Sequence, residues 1–161
     1  MNVQVGFLPG CIGKVVELHG TYYAQTVGFG VEFETKVARE LSEFALRYEP
    51  LRDGLWLALE GSEVHGSIVI DGIRAQTEGA HLRWFITSDS HRGKGVGRAL
   101  LGAALEFCRT RPYSKVYLWT FDQLPAARHL YEQHGFTLEL EKRGTTWGKE
   151  VNEQRFVLRG A

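Results

Sequence analysis

HLRWFITSDSHRGKGVGRALL, residues 81–101, decides the reading of this chain. A strand-like run ends near Thr87. A polar loop follows, and then RGKGVG (Arg92 to Gly97) opens an amphipathic helix. Gly93, Gly95 and Gly97 let the backbone come close to a ligand. The first N–H groups of a helix lack intrahelical partners, and with the helix dipole they form an anion site. Arg92, Lys94 and Arg98 add positive charge, so a diphosphate is a natural ligand. The same residues also suit a tight strand-to-helix connection that binds nothing. The stretch is not a P-loop, because no GxxxxGK followed by Ser or Thr is present. It is not a dinucleotide fingerprint either, because Arg98 stands where GxGxxG needs glycine.

Working outward, Val15 to Leu18 reads as a short strand and Gly20 to Gly28 as a short helix. Apolar residues at Val37, Leu41, Phe44, Ala45 and Tyr48 mark one helix face, stopped by Pro50. Three strands are expected at Leu55–Glu60, Val64–Asp71 and Ala80–Thr87. Gly61-Ser62 and Asp71-Gly72 supply turns. The helix from Gly95 to Arg111 buries Val96, Leu100, Leu101, Ala104, Leu105 and Cys108, and Pro112 ends it. A strand at Lys115–Thr120 follows. The helix Leu124–His134 comes next, with Pro125 in its first turn and Gly135 as its stop. Two strands complete the tail. Tight turns give antiparallel neighbours and the late strand–helix–strand gives a parallel pair. The fold class is therefore α/β (α+β): a mixed, mostly antiparallel central sheet of about seven strands with helices on both faces.

The chain has 161 residues, 43% of them hydrophobic, which suits one domain over residues 1–161. Nineteen Lys and Arg balance nineteen Asp and Glu, which argues against a nucleic-acid partner. No apolar run reaches membrane-spanning length. The N-terminus lacks the pattern of a signal peptide, so a cytoplasmic location without membrane contact is expected. Cys11 and Cys108 form no CxxC pair. Cys108 lies on the buried helix face and is a poor nucleophile. His129 and His134 are poorly spaced to share a helix face, no HExxH is present, and no metal is expected.

RGKGVG resembles the acetyl-CoA diphosphate loop of the GNAT N-acetyltransferase superfamily, with Arg92, Gly95 and Gly97 at the family's marked positions. AARHLYEQHGF (Ala126 to Phe136) is similar to the family's downstream helix motif, at the expected separation. FGVEFETKVARELSEF, HLRWFI, YLWTF and WGKEVNEQRF resemble the acetyltransferase half of bifunctional MarR-type regulator/acetyltransferase proteins. The DNA-binding half is not expected here.

The resemblance implies a GNAT-like fold and an N-acetyltransferase with acetyl-CoA as co-substrate. An amine on a small molecule or a protein would attack directly in a ternary complex. The diphosphate would lie on Arg92, Gly93, Lys94, Gly95, Val96, Gly97 and Arg98. The pantetheine arm would lie along the backbone of Phe85, Ile86 and Thr87, and Ala127 would face it from the helix motif. Tyr131 matches the tyrosine that protonates the departing thiolate, and His81 is the candidate proton acceptor. Arg83 shares the strand parity of His81 and could hold an anionic part of a substrate. Leu124 occupies a position where many relatives carry asparagine. Tyr22, Tyr23, Phe29 and Trp56 are candidates for an acceptor pocket or for core. Dimers are common in the family, so a homodimer is an expectation. The rival reading is a non-catalytic acyl-CoA-sensing or partner-binding module on the same fold.

Overall fold

A computed structural model describes residues 1–160. The strands are β1 (Asn2–Val5), β2 (Gly54–Glu60), β3 (Glu63–Asp71), β4 (Ala80–Thr87), β5 (Lys115–Phe121), β6 (Thr137–Gly144) and β7 (Val151–Arg159). The helices are α1 (Cys11–Val27), α2 (Val31–Leu46), α3 (Val96–Arg109) and α4 (Pro125–Gln133), with a 3₁₀ turn at Asp89–His91. The strands form one sheet in the order β1-β2-β3-β4-β5-β7-β6. Every neighbouring pair is antiparallel except β4 with β5. The expected mixed sheet of seven strands is present.

Alternation along the central strands divides the core between two faces. Trp56, Ala58, Ile68 and Ile70 pack on one side with Val96, Leu100, Leu101 and Cys108 of α3. Leu55, Leu57, Leu59 and Val69 point the other way, against Val15 of α1 and Leu41 and Phe44 of α2. With both faces covered, β2 is buried at every position but Glu60. Each such Leu or Phe contributes roughly 1.5–3 kcal/mol of burial.

The N-terminal region departs from the sequence reading. Val15 to Leu18 is not a strand but the middle of α1, which continues without a break through Gly20 to Val27. Cys11, Val15 and His19 are its buried face, spaced four apart, and Gly20 sits against the Glu34 side chain of α2. The glycine marks a close helix–helix approach and not a break. The first strand lies earlier, at Asn2–Val5, a four-residue edge strand. The second helix also starts six residues before Val37, at Val31. Glu32 and Glu34 in its first turn complement the helix dipole. The order of elements is nonetheless the expected one, since one strand still precedes two helices.

Candidate active site

β4 and β5 are paired only at Ala80 with Val116 and at His81 with Tyr117. Beyond His81, β5 continues alongside β7 as far as Phe121, while β4 leaves it. The register of β4 against β3 shifts between Ser67 and Val69. At that bulge Trp84 adopts φ 45°, a left-handed value for a bulky residue. Ser67 Oγ donates to the Trp84 carbonyl at 2.7 Å, which helps to fix this conformation. The bulge bends the strand, so the backbone of Phe85, Ile86 and Thr87 lines a gap rather than a ladder.

The gap opens into a cleft of about 1130 Å³. Its upper end is the turn into α3. Gly93 (φ 74°) and Gly95 (φ 82°) are left-handed, and nothing lies within 4 Å of where a Cβ would stand on either. Ala99 donates to the Gly95 carbonyl at 3.0 Å and begins the helix ladder. The N–H groups of Val96, Gly97 and Arg98 precede it and have no intrahelical acceptor. Gly97 faces Phe85 and Leu130 at ordinary contact distance. Val96 anchors the turn in the core. Arg92 stacks on the Tyr22 ring at 4.0 Å and pairs with Asp89 at 2.9 Å, while Arg98 donates to Gln133 Oε1 at 3.1 Å. Lys94 is exposed. Free N–H groups, room above them and flanking cations fit a diphosphate.

α4 supplies the opposite wall. Its sequence carries Pro125 at the helix start, and Leu124 is the N-cap without a side-chain hydrogen bond. Ala127, Leu130 and Tyr131 face the cleft. The Tyr131 ring is held by Phe85 (6.0 Å), Phe136 (5.9 Å) and Phe156 (6.3 Å). Its hydroxyl has no hydrogen-bond partner among the described residues and opens on the cleft. Burial, with Tyr23 nearby, pushes this phenol far above its ordinary value. It therefore stays protonated at any physiological pH.

His81 lies at the fork of the two strands, stacked on Tyr117 at 4.5 Å. Burial first, and the Arg83 charge second, lower its pKa to about 3. It is a neutral imidazole near neutrality. Arg83 lines the cleft but is committed to Glu40 and to Asp71 Oδ2 (3.2 Å), and it stacks on Trp84 at 4.1 Å. Burial raises Glu40, but the Lys36 hydrogen bond at 2.5 Å and the Arg83 charge outweigh it and hold the carboxyl below its usual range.

Of the expected aromatic lining, Tyr22 and Tyr23 reach the cleft. Phe29 sits behind Tyr23 at 6.0 Å, in a cluster with Phe33, Phe121 and Trp147. Trp56 is core beneath α3, edge-on to Phe107. Cys108 is fully buried, with its thiol pushed up to about 12 by burial. Sequence reasoning passed over Trp147 and Glu153. Glu153 is 2% exposed and accepts from Thr146 N–H and Oγ1–H, both at 2.9 Å. The only sequence signal for them was the WGKEVNEQRF stretch, which carried no assigned role.

Residues 17–136 match the model of the acetyltransferase (GNAT) family. N-acetyltransferase family 8 member 2 of Rattus norvegicus is 29% identical over 100 residues, covering 60% of this chain and 44% of that protein. The chain spans less than half the length of the curated relatives it matches. Among solved structures, ribosomal-protein-alanine N-acetyltransferase from Brucella melitensis superposes with a TM-score of 0.77 at 15% identity, over 99% of both chains. A Salmonella typhimurium protein solved with its cofactor acetyl-CoA gives a TM-score of 0.74 at 17% identity, over 99% of this chain and 94% of that one. At these identities the structural likeness speaks for the fold alone.

Proposed function

The chain belongs to the acetyltransferase (GNAT) family, and from that footing we propose that it moves an acetyl group from acetyl-CoA to an amine acceptor within a ternary complex. The observation that carries the reading is one cleft lined both by the open, left-handed glycine turn ahead of α3 and by the protonated phenol of Tyr131. At about 1130 Å³ the cleft lies at the upper end of small-molecule pockets, as a large co-substrate requires.

Acetyl-CoA supplies a thioester, whose carbonyl is open to attack by an amine. Free backbone N–H groups on the bulged Phe85–Thr87 segment polarise that carbonyl and stabilise the charge that develops on its oxygen. The Tyr131 hydroxyl gives its proton to the leaving sulfur. His81 enters neutral. Too weak a base to hold the amine proton, it positions a water that carries the proton out of the cleft to bulk solvent. No covalent acyl-enzyme is involved, because Cys108 is sealed in the core. The acceptor lies against Tyr22, Tyr23, Phe33 and Trp147, which suits an amine with an apolar body. Glu40 and Glu153 share this lining, Glu40 already paired with Lys36 and Arg83.

The likeness of the quoted segments to the acetyltransferase half of MarR-type fusion proteins supports a nearer kinship inside the family. In this reading the whole chain acts as one acetyltransferase unit, located in the cytoplasm and paired as a homodimer. A second reading, a non-catalytic acyl-CoA-binding module, draws on Leu124, which offers no side-chain hydrogen bond where relatives often carry asparagine. Release of free CoA thiol from acetyl-CoA, measured across a panel of arylalkyl amines, polyamines and peptide N-termini, separates the two. Amine-dependent release supports the enzyme. Acetyl-CoA binding without release across the panel supports the module.

A further inference from the structure

The β2–β3 hairpin meets the loop ahead of the glycine turn at a cluster of ligand-type atoms that acetyl transfer does not use. Glu60, His65 and His91 each bring one such atom to a common point, all within 4.8 Å of one another. His91 Nε2 lies 3.3 Å from Glu60 Oε2. His65 Nε2 lies 3.8 Å from the same oxygen and 3.5 Å from Glu63 Oε2. The two rings are 4.0 Å apart, and each histidine side chain is 12% exposed. His65 Nε2 is buried and has no hydrogen-bond partner among the described residues.

Behind the rings stand hydroxyls. His65 Nδ1 is 3.2 Å from Ser88 Oγ, and His91 Nδ1 is 2.8 Å from Ser90 Oγ. With each Nδ1–H donating to its serine, both Nε2 lone pairs turn toward carboxylates. In that tautomer a cation between them relieves the repulsion, as a proton on Nε2 also does, and it is how metal-bound histidines are oriented from behind. A tetrahedral ion with bonds of about 2.0–2.1 Å sets its ligand atoms about 3.4 Å apart. The Glu60–His91 and Glu60–His65 separations of 3.3 and 3.8 Å lie close to that spacing. Two imidazoles with a carboxylate suit a borderline ion, where magnesium or calcium would ask for oxygen alone.

We propose that Glu60, His65 and His91 bind a zinc-class divalent cation, with water completing its shell, that pins the hairpin to the diphosphate loop. The joint is already begun by the main chain, since Ser88 N donates to His65 O at 2.7 Å. His91 directly precedes Arg92 and Gly93, so fixing its ring fixes the entry to the glycine turn. Glu60 and Glu63 are exposed and give the ion a way in. The ion is structural, and the transfer chemistry proceeds without it. His65 and His91 are far apart in sequence, and only the fold brings them together, so no local spacing motif announces the pair.

The test uses tag-free chain stripped with a chelator and dialysed into a non-chelating buffer near neutral pH. Calorimetric titration with ZnCl2 should give one saturable ion per chain and a raised thermal midpoint. CoCl2 should give the intense visible absorption of tetrahedral cobalt. His91→Gln and Glu60→Gln lie on exposed segments and should each weaken uptake by about 10- to 100-fold or more. His65→Gln should do the same. If that variant fails to fold, the other two carry the reading. Absence of saturable uptake by the folded chain, or uptake that survives unchanged in His91→Gln and Glu60→Gln, overturns the proposal.

Discussion

His81 and Tyr117 stack with ring centroids 4.5 Å apart and planes 15° from parallel, across the last register pair that joins β4 to β5. The stack closes the base of the fork from which the cleft opens, and it covers one face of an imidazole that lines the cleft. Burial and Arg83 lower the folded pKa of His81 to about 3 from an ordinary 6.5. On acidification the unfolded chain therefore takes up this proton first. The stabilising contribution is complete above about pH 6.5 and is lost progressively as pH falls toward about 3. Urea midpoints should drop between about pH 7.5 and about pH 5, and His81→Gln should show a smaller drop over that window. An identical slope in the variant would show that His81 is not held neutral by the fold.

Tyr131→Phe removes the hydroxyl and keeps a ring already packed among Phe85, Phe136 and Phe156. The expected result is a fall in kcat of about 10²- to 10⁴-fold, the range of a lost general acid, with acetyl-CoA affinity unchanged. Stopped assays with a reactive amine, alongside equilibrium binding, check both parts. An undiminished kcat would take Tyr131 out of the mechanism.

Direct attack predicts that thiol chemistry is irrelevant. Cys11 and Cys108 are buried and unpaired, at 2% and 0% exposure. Iodoacetamide at mildly alkaline pH should leave both unmodified in the folded chain by mass spectrometry, and both modified in urea, with no loss of transfer activity in the treated native protein. Inactivation that tracks labelling of Cys108 would point instead to a covalent route.

The central and C-terminal elements were legible because their signals are local. Gly95 and Pro112 bracket α3, Pro125 and Gly135 bracket α4, and β4 falls at the expected residues, Ala80 to Thr87. The N-terminal region was not legible in this way. Val15-Val16 reads as strand by propensity, but packing of Cys11, Val15 and His19 on the sheet overrides it. β1 is too short to stand out. At the site, the glycine-rich turn and Tyr131, which the family resemblance singled out, both line the cleft. The Trp84 bulge, the fork at His81 and the commitment of Arg83 to Glu40 and Asp71 are tertiary facts with no local signature. Glu153 was missed because an isolated acidic residue in a strand looks solvated, whereas here it is buried and bonded to Thr146.

The most direct test is a calorimetric titration of acetyl-CoA into the wild-type chain and into Gly95→Val. A β-branched side chain at φ 82° costs about 1–2 kcal/mol in the left-handed region and crowds the space above the turn. The site is on the surface, so the fold should survive, as far-UV circular dichroism can verify. Saturable one-to-one binding by the wild type, at least about tenfold weaker in the variant, is the predicted result. A folded wild-type chain that takes up no acetyl-CoA, or a variant that binds it equally well, would contradict the account.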